Sequence, residues 1–289
     1  MNMPSLLLAG IKRTPLFVVG ITLLIAIISA SLLAPWIAQR DPLQQSLADR
    51  LRPPVFVDSS SDYLLGSDHL GRDIFSRILY GIRVSLILGV LAVFISGLIG
   101  VSLGLVSGYY GGVLDHIIMR VTDIMLSIPV ILLAIAVIAV LGVGFTNLVL
   151  VIGLTQWMVY ARTVRGETLS LKEKEFVEAA RALGVGDLGI LFRCIFLNAL
   201  PTIIVVATLN VATVIVLEAG LSFLGLGIQP PTPSLGYMLA EGRLYLERAW
   251  WYSTLPGLVL MLIVLAINMM GDGLRDILDP YRRQVYGRP

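Results

Sequence analysis

The residues that most often do chemistry in proteins are few in this chain, and they are scattered. The sequence holds two histidines, His69 and His116, and a single cysteine, Cys194. Because the histidines are far apart and have no cysteine partners, they do not form the clustered ligands of a metal site, and each is expected to make local hydrogen bonds. One cysteine cannot form a disulfide within the chain, so Cys194 is expected to pack near a membrane boundary.

Nucleotide chemistry is not expected on this chain either. The sequence contains no Gly-Lys pair, and therefore no phosphate-binding loop of the form Gly-x-x-x-x-Gly-Lys-Ser/Thr. ATP hydrolysis by the chain is thus not expected. No catalytic residue can be assigned, and the sequence does not indicate an enzyme.

Composition indicates a membrane protein. Hydrophobic residues make up 57% of the chain and charged residues 14%, and the mean hydropathy is +0.88. Soluble globular domains carry about 25% charged residues. The net charge of +2 is small and no basic run accompanies it, so nucleic-acid binding is not indicated.

The gaps between charged residues predict six membrane-spanning helices, since a crossing needs about 20 apolar residues and irregular backbone cannot face lipid. No charge occurs between Asp123 and Arg162, a stretch long enough for two spans joined by a turn at residues 142–147. The other four spans are predicted at residues 16–38, 85–107, 199–217 and 255–271.

Positive charges set the predicted orientation. Lys12 and Arg13 precede the first span and place the N-terminus in the cytoplasm, and six crossings return the C-terminus there. The predicted parts are a cytoplasmic tail at 1–15, a first helix at 16–38, an extracytoplasmic segment at 39–83, a five-helix core at 84–272 with a cytoplasmic loop at about 163–196, and a cytoplasmic tail at 273–289.

A polar, helix-forming sequence lies in the charged segment after the fourth span. From Glu167 to Leu183 it is rich in Glu, Lys, Leu and Ala, and Gly184 and Gly186 can end the helix. Asp187 can cap the next helix. The apolar positions predicted to share one face are Leu169, Phe176, Ala180 and Leu183.

Two interpretations of this helix remain open from the residues alone. Small side chains at Ala179, Ala180 and Ala182 would let the groove of a partner protein close around it, and a rigid helix in a groove transmits motion. The alternative is an ordinary amphipathic helix that rests on the membrane surface.

The sequence Glu178-Ala179-Ala180 followed by Gly184 resembles the coupling-loop motif of ABC-type importer permeases. The resemblance implies an all-α membrane protein with the type I importer permease fold. It also implies a cytoplasmic coupling helix between spans four and five that docks a separate ATPase subunit. The docking residues that it implies are Glu178, Ala179, Ala180, Ala182 and Gly184.

One position departs from the motif. Near the end of the motif, within Ile195-Phe196-Leu197-Asn198, Leu197 stands where the motif has a proline. The resemblance therefore does not fix where the helices of this loop end.

Four further segments, in order along the chain, are similar to the second permease subunit of dipeptide, oligopeptide and nickel importers. Together they cover the chain from about residue 40 to its end. The segments are Leu65–Leu86, Gly108–Pro129, Leu221–Pro233 and Asn268–Pro280.

Some polar residues in or near the predicted spans have candidate roles. Asn210, in the middle of span five, and Glu218, at its predicted outer end, are candidates to line a translocation path. Asn210 could equally bond another helix, and Glu218 could be interfacial. Arg120 and Asp123 could form a structural ion pair.

Similar reasoning applies to the extracytoplasmic segment. There Ser67 or Asp68 could cap a short helix, and Asp73 could pair with Arg77. The segment could simply pack on the span ends, or it could also help to seat a ligand-delivery protein.

The resemblance implies a permease subunit of a binding-protein-dependent importer in a bacterial inner membrane, with peptides as the expected cargo. Nickel complexes, glutathione and oligosaccharides are alternative cargoes in the same family. The implied partners are a second permease, one or two ATPase subunits and an extracytoplasmic solute-binding protein. No cofactor is expected on this chain, since ATP and magnesium would bind the ATPases.

A stand-alone secondary transporter is a further alternative, but it usually needs intramembrane carboxylates and repeated halves. A purely structural membrane protein is the third.

Overall fold

A computed structural model describes residues 15–278, and these are almost entirely helical. The long helices are α1 (Pro15–Leu32), α2 (Ile74–Tyr110), α3 (Gly112–Ser127), α4 (Val130–Leu141), α5 (Phe145–Leu171), α6 (Glu175–Ala182), α7 (Leu197–Phe223), α8 (Leu235–Gly242) and α9 (Trp251–Leu278). Shorter helical pieces lie at Ala34–Ile37, Leu47–Asp49, Asp187–Gly189, Ile190–Phe196 and Arg243–Tyr245. Among the described residues the only bridge of β type joins Ser67 and Asp73.

Helices α2 and α5 form the centre of the bundle, and glycines let their backbones approach closely. A Cβ atom added at Gly100 would lie 2.2 Å from the Trp157 carbonyl oxygen, and one at Gly104 would lie 2.7 Å from that of Ala161. Small residues four apart allow such contact between helices in a membrane, where apolar burial alone does not drive association.

Within residues 15–278, four helices are long and apolar enough to cross a bilayer: α1, α2, the continuous run Asp187–Phe223 that includes α7, and α9. The pair α3–α4 raises the number to five if it is counted as one span. Helix α5 is 27 residues long, but Asn147, Gln156 and Arg162 make it more polar than these.

Three predicted boundaries are corrected. The third span is not straight, because the chain bends by 92° between α3 and α4, at Ile128 and Pro129. Proline lacks the N–H that would continue the helix. The first span breaks after Leu32, with a short helix at Ala34–Ile37. The helix predicted over Glu167–Leu183 is two helices, α5 and α6, separated by residues 172–174.

The turn predicted at residues 142–147 is present at Gly142 to Gly144, between α4 and α5. Of the predicted tail at 1–15 only Pro15 is described, and of the tail at 273–289 only residues 273–278, which belong to α9 and therefore correct the predicted start of that tail. The two ends of the bundle differ. Residues 39–73, here called the collar, and the connection at 224–250 lie at the end where α2 begins. Residues 172–196, here called the inner segment, lie where α2 ends.

Candidate functional site

The inner segment is anchored by one side chain of α6. Val177 is 0% exposed and belongs to an apolar cluster with Leu105 of α2 and Val164 of α5. Ile190, Leu191 and Ile195, which lead into α7, complete the cluster. Through this cluster α6 is packed together with α2, α5 and the helical run that leads into α7.

The predicted apolar face of this helix is wrong. Phe176 is 43% exposed and Leu183 is 84% exposed, while the buried residue is Val177, which the sequence analysis did not name. Because the chain breaks at residues 172–174, the helical periodicity restarts at Glu175 and rotates the buried face. Of the predicted docking residues, Glu178, Ala179 and Ala182 are exposed, and Ala180 packs partly against the cluster.

Gly184 ends α6 with a left-handed backbone conformation, φ +79°. The Val185 N–H donates to the Ala180 carbonyl at 3.1 Å, and the Gly184 N–H donates to that of Arg181 at 3.0 Å. These two bonds are those of a Schellman motif, which favours glycine at this position. Nothing lies within 4 Å of a Cβ added there, so the backbone conformation within this chain, rather than lack of space, requires glycine.

Polar contacts tie the inner segment to the helices. The Tyr109 hydroxyl donates to Asp187 Oδ1 at 2.7 Å, so Asp187 bonds α2 instead of capping a helix with its side chain. The Lys172 ammonium donates to the Gly108 carbonyl at 3.2 Å. Arg165 of α5 donates to both oxygens of Asp115, each at 2.6 Å, which is the bidentate geometry of strong ion pairs.

The predicted Arg120–Asp123 ion pair is not formed in residues 15–278. Asp123 accepts from Arg162 of α5 instead. This contact joins two helices, whereas the predicted pair lay within one. Sequence spacing identifies neighbours on the same helix but not those on an adjacent helix.

The position that departs from the coupling motif continues the helix. Residues Ile190–Phe196 form a π-helix that runs into α7 at Leu197 without a break. Leucine supplies the N–H and avoids the ring clash of proline, so a continuous helix is allowed here. Cys194 lies in this run and packs partly against the apolar cluster, as an apolar filler would.

The opposite end of the bundle holds a buried charge network. Asp68 Oδ2 accepts from Arg72 Nε at 2.5 Å and also from Arg77. Glu241 Oε2 lies 3.3 Å from Arg72 Nη2 and 3.5 Å from Arg77 Nη1. Burial opposes the charge of Arg72, but Asp68 and Glu241 outweigh it and raise the pKa of Arg72. Two arginines and two carboxylates thus join the collar, α2 and α8.

The predicted Asp73–Arg77 pair is replaced by this network. Asp73 caps α2, because its Oδ2 accepts from the Ser76 N–H at 2.8 Å, and Arg77 turns to Asp68 and Glu241. Asp68, which was expected to cap a helix, instead anchors the two guanidinium groups.

His69 makes the local contacts expected of it. Its ring stacks on Tyr245 and Tyr252, with centroids 5.7 and 5.9 Å apart, and Nδ1 lies 3.1 Å from the Tyr252 hydroxyl. Burial lowers the pKa of His69, and nearby Glu241 partly opposes this shift. Ligand atoms of Asp68, His69 and Glu241 lie within 4.8 Å of one another, but arginines already balance both carboxylates, so the cluster does not favour a metal.

Both candidate path residues are buried within the chain. Asn210 is buried beside Tyr160, and among the described residues neither Asn210 Nδ2 nor the Tyr160 hydroxyl has a well-aligned hydrogen-bond partner. Glu218 is 0% exposed and is bonded by serines. In this conformation neither side chain reaches a surface that could line a path.

Comparisons with known proteins match nearly the whole chain. Residues 100–284 match the family described as the binding-protein-dependent transport system inner membrane component. Residues 8–54 match the N-terminal TM domain of oligopeptide transport permease C.

The names of the curated relatives mention two kinds of cargo, peptides and glutathione. The di/tripeptide transport system permease protein DppC of Pseudomonas aeruginosa is 44% identical over 262 residues, which are 90% of this chain and 86% of the relative. The glutathione transport system permease protein GsiD of Pectobacterium atrosepticum is 48% identical over 221 residues, 76% of this chain and 73% of the relative.

A solved structure of the MetNI methionine ABC transporter in an inward-facing conformation has the same fold. The TM-score is 0.57 at 20% identity, over 70% of this chain and 96% of the matched chain.

Proposed function

The chain belongs to the family of binding-protein-dependent transport system inner membrane components, and from that premise we propose that it is the permease subunit of an ATP-driven dipeptide importer. The observation that carries the proposal is the 44% identity to a di/tripeptide permease along 90% of the chain. The chain is an inner-membrane protein and not an enzyme, as its homologues are permeases whose ATPase activity is on separate subunits.

The proposed assembly contains this chain, a second related permease, one or two ATPase subunits and an extracytoplasmic solute-binding protein. ATP and magnesium would bind the ATPases, and this chain would bind no cofactor. Family membership supports ATPase and binding-protein partners in general.

In the proposed topology α5 is a further crossing, which makes six spans with both termini in the cytoplasm. Lys12 and Arg13 before the first span support this orientation, as do Arg162 and Arg165 at the inner end of α5. The collar is then extracytoplasmic and the inner segment cytoplasmic.

The inner segment is the proposed coupling site. Helix α6 presents Glu178, Ala179 and Ala182 to the outside, and the short side chains of the two alanines suit a partner groove. Closure of the ATPases would push α6, and Val177 would pass the movement to α2, α5 and the start of α7. Differential affinity of the ATPases for two conformations would drive the change in access, since a partner shifts an equilibrium only by that difference.

Uptake by the reconstituted assembly tests the proposal. With both permeases, the ATPases and the binding protein in liposomes, we expect ATP-dependent uptake of a labelled dipeptide. This chain alone should neither transport nor hydrolyse ATP. Uptake driven by an ion gradient without partners would reject the proposal in favour of a secondary transporter.

Glutathione is the second candidate cargo, because a glutathione permease is 48% identical over 76% of this chain. A competition experiment with unlabelled compounds distinguishes the two candidate cargoes. If unlabelled glutathione abolishes dipeptide uptake while other dipeptides do not compete, the cargo assignment changes and the importer assignment stands.

A further inference from the structure

Glu218 is a carboxyl group buried without a counter-charge. It lies on α7, five residues before the helix ends at Phe223, and it is 0% exposed. Within residues 15–278, no charged or titratable side chain makes a hydrogen bond or ion pair with it from α2, α7 or α8. Its partners are three serine hydroxyls.

The hydrogen bonds around Glu218 have a consistent direction. Ser222 Oγ lies 2.7 Å and Ser234 Oγ 3.1 Å from Oε1. Each of these hydroxyl oxygens already accepts a backbone N–H, from Ile228 and Tyr237 respectively, so each hydroxyl proton is free to point at Oε1. Oε1 therefore accepts two hydroxyl hydrogen bonds, which the carbonyl oxygen of a carboxylic acid can do.

The other carboxyl oxygen faces a single hydroxyl. Oε2 lies 3.3 Å from Ser85 Oγ, and Ser85 is buried on α2. A proton on Oε2 would be donated to that hydroxyl oxygen, which completes the bonding of a neutral carboxylic acid.

Two physical effects favour the neutral form. An ionised carboxylate buried without a cation loses its hydration, and three hydroxyl donors return only part of that free energy. Glu218 also lies in the C-terminal half of α7, far from the N-terminus where the helix dipole would stabilise an anion.

The three serines come from different elements. Ser85 belongs to α2, Ser222 to α7, and Ser234 is the N-cap residue of α8, which accepts the Tyr237 N–H. The packing around them is tight: a Cβ added at Gly227 would lie 1.8 Å from Ser222 Oγ, and one at Gly236 would lie 2.7 Å from the Ala219 Cα.

We propose that Glu218 is a permanently protonated positioning residue that fixes the connection at 224–250, through α8, onto α2 and α7. The connection then moves with these two helices as one body when the permease changes access. The protonation state does not depend on the cargo or the partners, whereas the consequence for transport rests on the proposed function.

Infrared spectroscopy of the chain in lipid nanodiscs tests the protonation state directly. The difference spectrum of wild type minus Glu218→Gln should contain the carbonyl band of a protonated carboxylic acid, equal at neutral and mildly alkaline pH. Glu247→Gln, at an exposed glutamate of the same connection, should remove only carboxylate bands. A Glu218 difference spectrum with carboxylate bands would overturn the proposal.

Carbon-13 labelling of glutamate covers the case in which Glu218→Gln does not fold. In labelled wild-type protein the carbonyl band of the protonated acid should then change frequency. That shift assigns the band to a glutamate without the use of a variant. If no labelled band is found at the protonated position, the proposal is rejected.

Substitutions test the positioning role. Glu218→Gln keeps a carbonyl acceptor and a donor, so uptake should stay within about twofold of wild type, while Glu218→Ala should lose at least tenfold, about 1.4 kcal/mol. A merely space-filling role predicts that Glu218→Leu is as active as Glu218→Gln, and that result would overturn the proposal. If wild type itself transports no dipeptide, the proposed function has failed, while the infrared result still decides the protonation state.

Discussion

The two ends of the bundle differ in how far their polar and apolar groups are satisfied within this chain. At the collar end, Asp68, Arg72, Arg77 and Glu241 balance one another away from solvent. At the inner end, α6 buries only Val177, and Leu183 is left 84% exposed. The charge network at the collar end is complete without a partner. Exposed apolar side chains occur at both ends, but at the inner end Leu183 lies on a helix that only one buried side chain anchors.

Because of this difference, mutations at the two ends of the bundle should have different consequences. A change at the collar network should act on folding, because Asp68 and Glu241 balance the two buried guanidinium groups. A change at the exposed surface of the inner segment should act on assembly, since those side chains contribute little to the fold of the single chain.

The largest expected effect is on the collar network. Arg77→Met leaves Asp68 and Glu241 with one guanidinium in place of two, and breaking a buried ion network in this way costs about 3–5 kcal/mol. We expect a large loss of folded protein, measured by thermal unfolding in detergent. Arg83→Met is the matched control. Arg83 lies on the same helix, is exposed and makes no hydrogen bond or ion pair among the described residues. The melting temperature of the Arg83→Met variant should therefore be nearly that of wild type. Equal losses in both variants would contradict the comparison.

The next effect concerns assembly at the inner end. Leu183→Ser removes an exposed apolar side chain, whose burial by a partner would contribute about 1.5–3 kcal/mol. We therefore expect ATPase affinity to fall by roughly tenfold or more, with the melting temperature of the isolated permease unchanged.

The control for that variant is Leu244→Ser. Leu244 is 74% exposed but lies in the connection at the collar end. ATPase affinity, measured by titration in nanodiscs, should be unaffected. If Leu183→Ser and Leu244→Ser bind ATPase equally well, the inner segment is not the docking surface.

The long helices were predictable from the sequence because apolar length is a direct requirement of the bilayer. The break at Gly142 to Gly144 was equally clear, since glycines interrupted a charge-free run too long for one span. The existence and end of α6 followed from helix-forming residues and from Gly184. These features depend on local sequence.

The missed features depend on contacts between elements. Nothing in the spacing of Asp68, Arg77 and Glu241 shows that they meet, since Glu241 is 164 residues from Arg77. Asp123 was assigned to its neighbour Arg120 for the same reason, although it bonds Arg162. The buried face of α6 was missed because a three-residue break shifted the helical phase, and Pro129 was a signal of the α3–α4 bend that the span count did not use.

A smaller effect tests why glycine ends α6. Gly184→Ala places a Cβ on a residue with φ +79°, a conformation that costs a non-glycine residue about 1–2 kcal/mol. Hydrogen exchange of residues 175–185 should become faster. Gly186→Ala is the control, because Gly186 has φ −67° and equally open surroundings. Equally faster exchange in both variants would show that the left-handed conformation of Gly184 is not the cause.

The smallest expected effect is a pH dependence at the collar end. Burial lowers the folded-state pKa of His69 below the value of about 6.5 expected in the unfolded chain. Between these two values the unfolded chain binds more protons, so stability is full above about pH 6.5 and falls as the pH decreases through the folded-state pKa. We expect the melting temperature to decline on mild acidification and His69→Gln to flatten that decline, whereas His116→Gln, at an exposed histidine, should keep it. A decline that persists in His69→Gln would place the acid-sensitive group elsewhere.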